Sequence, residues 1–226
     1  METIRDRVRA LSAGTEFAIV VVGAFGFFVL RSVHAVLYPA ATPPISQSRL
    51  EHLLVYESIT LVLLCIFLYL RGWTRSRLGV SVTAKDTLIG LGLVVAVYVA
   101  YVFMWWITAV IGIHPSYAGA HPDLVARGLT MPVVIAVCVL NPIYEETFLC
   151  GYIVTRAKEI DRTVAGVNVS IAIRLLYHLY QGGIGVLQII PVGLVFTWWY
   201  ARTGRLWPLF VAHAFFDAIG LLQFVR

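Results

Sequence analysis

The stretch that decides the fold is LTMPVVIAVCVLNPIYEETFLCGYIVT, Leu129–Thr155. It is apolar over a length that can cross a bilayer, for which about 20 residues suffice. Yet it carries two adjacent carboxylates, Glu145 and Glu146, deep inside. An ionisable side chain at that depth is costly and needs a reason. Pro132 and Pro142 predict that this segment is kinked or split. A split would free backbone groups that only a cavity or buried protein can tolerate.

The rest of the chain agrees with a membrane setting. Of 226 residues, 60% are hydrophobic and only 13% charged, and the mean hydropathy is +0.85. A soluble domain is about a quarter charged, so a soluble enzyme and a disordered chain are both excluded. The expectation is an all-α polytopic bundle, a single integral membrane domain over residues 1–226. Seven spans are predicted, at Phe17–Tyr38, His52–Leu70, Thr87–Ile113, Leu129–Thr155, Val164–Tyr180, Ile184–Tyr200 and Leu206–Phe224. Gly182 and Gly183 predict a tight turn between the fifth and sixth. The first apolar run is too long for a cleavable signal and reads as a retained anchor. Cys65, Cys138 and Cys150 share no ligand-like spacing and read as small core residues.

Lys and Arg set the predicted orientation. Arg5, Arg7, Arg9, Arg71, Arg75, Arg77, Lys85, Arg156, Lys158, Arg162, Arg202 and Arg205 fall on one side, twelve in all. Arg49, Arg127 and Arg226 fall on the other, and Arg31 and Arg174 lie inside spans. Twelve against three puts the N-terminus in the cytoplasm. The net charge of +5 therefore reports cytoplasmic loops rather than a nucleic-acid partner.

Nine ionisable residues fall in the interior of the spans. Arg31, His34 and Glu57 lie in the first two, where snorkelling or structural pairing is the plain reading. The other six are concentrated in the fourth, fifth and seventh. Glu145 and Glu146 point about 100° apart on a helix. Arg174 and His178 are four apart and share a face, as do His213 and Asp217. At 1.5 Å per residue from the cytoplasmic ends, Glu145 lies about 16 Å deep, His178 about 21 Å, His213 about 12 Å and Asp217 about 18 Å. A carboxylate and two imidazoles in one layer can bind a metal or activate water. The same residues suit a polar network that holds helices together or a proton or ion pathway.

Three motifs carry a resemblance. Glu145-Glu146-Thr-Phe-Leu-Cys150-Gly151, then Arg174-Leu-Leu-Tyr-His178, then His213-Ala-Phe-Phe-Asp217 resemble the motifs of the CPBP family. These are the CAAX proteases and bacteriocin-processing enzymes, also called Abi intramembrane proteases. The family-like core runs from about 131 to 224. Cys150 stands where the family carries Arg, and Arg174 where it carries Phe.

The resemblance implies an intramembrane endopeptidase. Glu145 matches the water-activating glutamate, and His178 the histidine that helps hold the water. His213 and Asp217 match the pair placed at the scissile carbonyl or a metal, and Glu146 matches the second glutamate. Two mechanisms stay open. One is a metalloprotease with Zn2+ or another divalent ion on Glu145, His178 and His213. The other is a metal-free glutamate mechanism. The implied substrate is a protein or peptide in or near the lipid bilayer, such as a lipidated protein or a leader peptide. The implied location is the plasma (inner) membrane of a prokaryote. A catalytically inactive scaffold or immunity-type protein on the same fold is the alternative. The two departures read as one event: Arg174 is expected to supply from the fifth span the positive charge that position 150 lacks, as a charge partner for Glu146.

Overall fold

The computed structural model describes residues 4–38, 45–112 and 128–225. Among the described residues the regular structure is helical, with one isolated bridge between Leu129 and Val225 and no strands. A short helix α1 (Ile4–Ala10) leads into α2 (Ala13–Leu37), α3 (Gln47–Leu70), α4 (Ala84–Val110) and α5 (Met131–Lys158). Then come α6 (Thr163–Tyr177), α7 (Gly182–Thr203) and α8 (Trp207–Leu222). Helices α2 to α5 are long and apolar enough to cross a membrane. The shorter α6 and α8 are also apolar, and with α7 they occupy the last three predicted spans.

Local chemistry sets the helix ends. Ser12 and Thr83 cap α2 and α4, accepting from the amides of Thr15 and Asp86 at 3.0 Å each. Such caps satisfy backbone donors that a helix start leaves open. Thr83 also donates to the Asp86 carboxylate at 2.9 Å, which Arg205 pairs from the start of α8. The predicted turn between α6 and α7 is a 3-10 turn, Leu179–Gln181, closed by Gly182 at φ +75°. The fifth predicted span therefore ends three residues early, and His178 caps α6.

The expected split of the fourth span does not occur. Pro132 sits in the first turn of α5, where its missing N–H breaks nothing. Pro142 lies inside a helix that continues to Lys158. The irregularity comes later, as a π-helical segment over Thr147–Val154, whose eight residues are all buried. A second π segment, Val22–Gly26, interrupts α2.

Helix α5 is the hub. It packs against α3, α8 and, through its π segment, α6 and α7. One apolar cluster joins Phe25, Leu68, Tyr144, Phe148 and Tyr152 across α2, α3 and α5. Another joins Val97, Cys150, Phe196, Leu209 and Ala212 across α4, α5, α7 and α8. The outer faces of α3 and α4 stay apolar and exposed, as at Val62, Leu63, Ile66, Val95, Phe103 and Trp106, as suits contact with lipid. Cys65 belongs to that outer face and is exposed, contrary to its reading as a core residue; Cys138 and Cys150 are buried. Without water to drive helices together, close packing carries association.

Two glycines make that packing close. Gly79, at φ +73°, lies against the backbone of Gly204, where an added Cβ would fall 1.8 Å from a carbonyl oxygen. On α4, a Cβ at Gly90 would come within 2.7 Å of Val211 Cβ and 2.8 Å of the Pro208 carbonyl on α8. Gly90→Ala is expected to lower stability by about 1–3 kcal/mol, the usual cost of overpacking. Thermal unfolding in detergent checks this, with Gly92→Ala as the control, since nothing lies within 4 Å of that site. At the basic edge, Arg77 holds Glu159 through two bonds of 2.7 and 2.8 Å. Those bonds, aided by Arg156, hold the Glu159 carboxyl below its ordinary value.

Candidate active site

Glu145 and Glu146 close the α-helical part of α5, one residue before the π segment begins. Both are buried, and their side chains diverge as adjacent helical residues must. Glu146 is saturated. One guanidinium nitrogen of Arg174 donates to both of its oxygens at 2.7 Å. His213 Nδ1 lies 2.7 Å from Oε1, and the Cys150 thiol donates to Oε2 at 3.3 Å. A carboxylate clamped by a guanidinium only accepts, so His213 Nδ1 is the donor. Cys150 is thus no ionic partner, yet it does bond Glu146.

Arg174 arrives from α6 and is 1% exposed. Its other terminal nitrogen reaches Glu145 Oε2 at 3.4 Å. The Tyr177 hydroxyl donates to the same Glu145 oxygen in a very short bond. One guanidinium therefore spans both glutamates, and α6 is tied to α5 by charge as well as by packing. A buried charge set like this is tolerated only when each member is paired and hydrogen-bonded.

His178 follows Tyr177 at the end of α6. Its Nδ1 lies 2.9 Å from the backbone carbonyl of Arg174. A carbonyl cannot donate, so Nδ1 carries the proton and Nε2 presents a lone pair. On α8, His213 Nε2 stands 3.9 Å from Glu145 Oε2 and 3.6 Å from Asp217 Oδ1. These gaps are too long for direct hydrogen bonds and suit a bridging water or a substrate oxygen. Asn141 on α5 donates to Asp217 Oδ2 at 3.0 Å.

Most of these groups border one cavity of about 610 Å³. Glu145, Arg174, His178, His213 and Asp217 line it, together with Asn141, Tyr177 and Glu57. Glu146 lies behind them, fully buried. The structure thus brings five of the six expected residues to one wall and sets the sixth behind it.

Three lining residues escaped sequence reasoning. Tyr177 carried a signal, since it directly precedes His178. Asn141 lies one helical turn before Glu145 on α5 and could have been read as sharing its face. Glu57, grouped in the sequence with Arg31 and His34, behaves differently from them. Those two are exposed, as snorkelling requires, whereas Glu57 is 2% exposed and faces the cavity.

A metal can be tested against the donor set. Glu145, Glu146 and His213 each offer a ligand atom within 4.8 Å of the others, a buried group that could hold an ion. His178 is not in that group. Occupancy argues against it: Glu146 already accepts from Arg174, His213 and Cys150, and a guanidinium stands against both carboxylates.

Residues 127–219 match a family described as Type II CAAX prenyl endopeptidase Rce1-like. The matched segment contains all three motifs, so the resemblance to the CPBP family is borne out over that part of the chain. No curated protein and no solved structure matches the chain. The family match and the apolar helices together support an integral membrane protein of the CAAX-endopeptidase type.

Proposed function

We propose that the protein is an intramembrane endopeptidase that cuts a peptide bond of a membrane-associated or lipidated protein or of a leader peptide, without a resident metal. The observation that carries this reading is the gap between Glu145, His213 and Asp217, which opens on a cavity also lined by His178.

A water in the gap is held by Glu145 and by the lone pair of His178. Glu145 takes its proton as the oxygen attacks the scissile carbonyl, and returns that proton to the leaving amine. Asn141 gives one N–H to Asp217 and has a second for the developing oxyanion, beside His213. Arg174 and Tyr177 orient Glu145, and Glu146 fixes the ring of His213 by accepting from Nδ1. The saturated Glu146 counts against an ion on Glu145, Glu146 and His213, and the guanidinium supplies a fixed positive charge beside them. The paired, solvent-excluded set also favours catalysis over the inactive-scaffold alternative, because neither motif departure leaves a buried charge unpaired.

The reading places the protein in a prokaryotic plasma membrane, and the twelve-to-three division of Lys and Arg supports a cytoplasmic N-terminus. The test is cleavage of fluorogenic peptides by purified protein in detergent, with and without a chelator. Cleavage that persists in excess chelator is expected. Loss of cleavage on chelation, with recovery on adding Zn2+, would overturn the metal-free mechanism. No cleavage of any peptide would overturn the enzyme.

A further inference from the structure

Glu57 is a buried carboxyl that the proposed reaction does not use. It lies on α3, is 2% exposed, and its Oε2 has no hydrogen-bond partner. It lines the cavity, and its electrostatic neighbours are Glu145, Asp217 and His213. An acceptor left unmade in a dry site costs about 1–3 kcal/mol. A fold tolerates that where a ligand supplies the missing donor.

The charges around the cavity say which donor. Among the described lining residues, Glu57, Glu145 and Asp217 are acidic. The one guanidinium, Arg174, is committed to Glu145 and Glu146. His178 Nδ1 is spent on a carbonyl and His213 Nδ1 on Glu146. Arg31 and Arg49 line an adjoining groove, which shares Phe28, Leu50 and Leu53 with the cavity. The cavity beside Glu57 thus combines three carboxyl groups with apolar walls from Phe28, Leu53 and Val137. A long stem ending in a positive charge matches both, with methylenes on the walls and the charged head on the carboxylate. A neutral amide would satisfy the oxygen but gain little from the neighbouring acids.

Resting on the endopeptidase reading, we propose that Glu57 is a specificity-determining residue that receives a lysine or arginine side chain of the peptide substrate. The pair forms between the Glu57 carboxylate and the substrate cation. Removing the charge from either side leaves the other buried and unpaired.

Two measurements test this. In the first, purified protein in detergent is given fluorogenic peptides in which each position is in turn Lys, norleucine or Glu. At one position Lys is expected to exceed norleucine by about tenfold or more in kcat/KM. Glu57→Gln should bring that ratio to within about twofold, and Glu57→Lys should turn the preference toward Glu. In the second, which needs no cleavage, hexylammonium and hexanol are compared as ligands through the thermal unfolding midpoint. Hexylammonium should stabilise the wild type at lower concentration than hexanol. Glu57→Gln should erase that difference, whereas Glu159→Gln, outside the cavity, should keep it.

Equal effects of the two ligands on the wild type, or a difference that survives Glu57→Gln, overturns the proposal. Cleavage without any Lys preference overturns it as well and leaves the endopeptidase standing. A hexylammonium preference that depends on Glu57, with no peptide cut, keeps the cation site and removes the endopeptidase.

Discussion

Glu145→Gln and His178→Ala are each expected to reduce peptide cleavage by about 10²–10⁴-fold, the usual contribution of a positioned acid–base group. Glu145→Gln keeps the shape of the side chain and its contacts with Tyr177 and Arg174. It cannot take a proton from water. His178→Ala removes the lone pair held toward the cavity by the Nδ1 bond to the Arg174 carbonyl. Both variants should reach the membrane and unfold at temperatures near wild type, because neither breaks the clamp on Glu146. Cleavage by purified variants, with the unfolding midpoint measured beside it, gives the answer. Wild-type activity in Glu145→Gln would overturn its role as the base.

Arg174→Phe is expected to cost about 3–5 kcal/mol of stability, as breaking a buried pair commonly does. The arginine donates to both oxygens of Glu146 and to Glu145, and among the described residues nothing else basic touches Glu146 apart from the His213 ring. Phe is the residue that the family motif carries at this position. Its arrival alone strands two carboxylates in a dry interior. Adding Cys150→Arg, on the same wall of Glu146 as the present thiol, should restore most of the loss, because it returns the charge from α5 itself. Unfolding of the single and double variants in detergent measures the coupling. A double variant no more stable than the single would show that the two positions do not exchange a charge.

Much of this site could be read from the sequence, because its geometry is mostly local. Adjacent glutamates diverge on any helix, and spacings of four put Arg174 with His178 and His213 with Asp217. Common depth then makes three helices meet in one layer. The contact of Arg174 with Glu146 followed from an excess charge in one motif and a missing one in another. What stayed hidden depends on tertiary neighbours. Glu57 is a lone acid on a helix that contributes no motif, and only the packing of α3 on α5 turns it inward. The saturation of Glu146 also escaped, since sequence spacing does not reveal that Arg174, His213 and Cys150 all bond it. The prolines pointed to a kink or a split, and the split does not occur: Pro132 fell in a first turn, and the helix runs on past Pro142.

The π-helical run over Thr147–Val154 sets the rotational phase of α5. On an α-helix each residue advances the azimuth by about 100°. The wider winding of this run therefore decides how the two glutamates are aimed relative to Arg156 and Lys158 at the cytoplasmic edge. Were the run rewound as α-helix with every residue kept, the residue that the wider turn accommodates would turn the upstream half against the downstream half by about that angle. The carboxylate facing the cavity would swing away, and its neighbour could turn toward the place it left. Such widened turns recur at functional sites. Here the widening acts as a vernier between the anchored end of the helix and the reacting end, so the length of this segment is as much a part of the chemistry as the residues beside it.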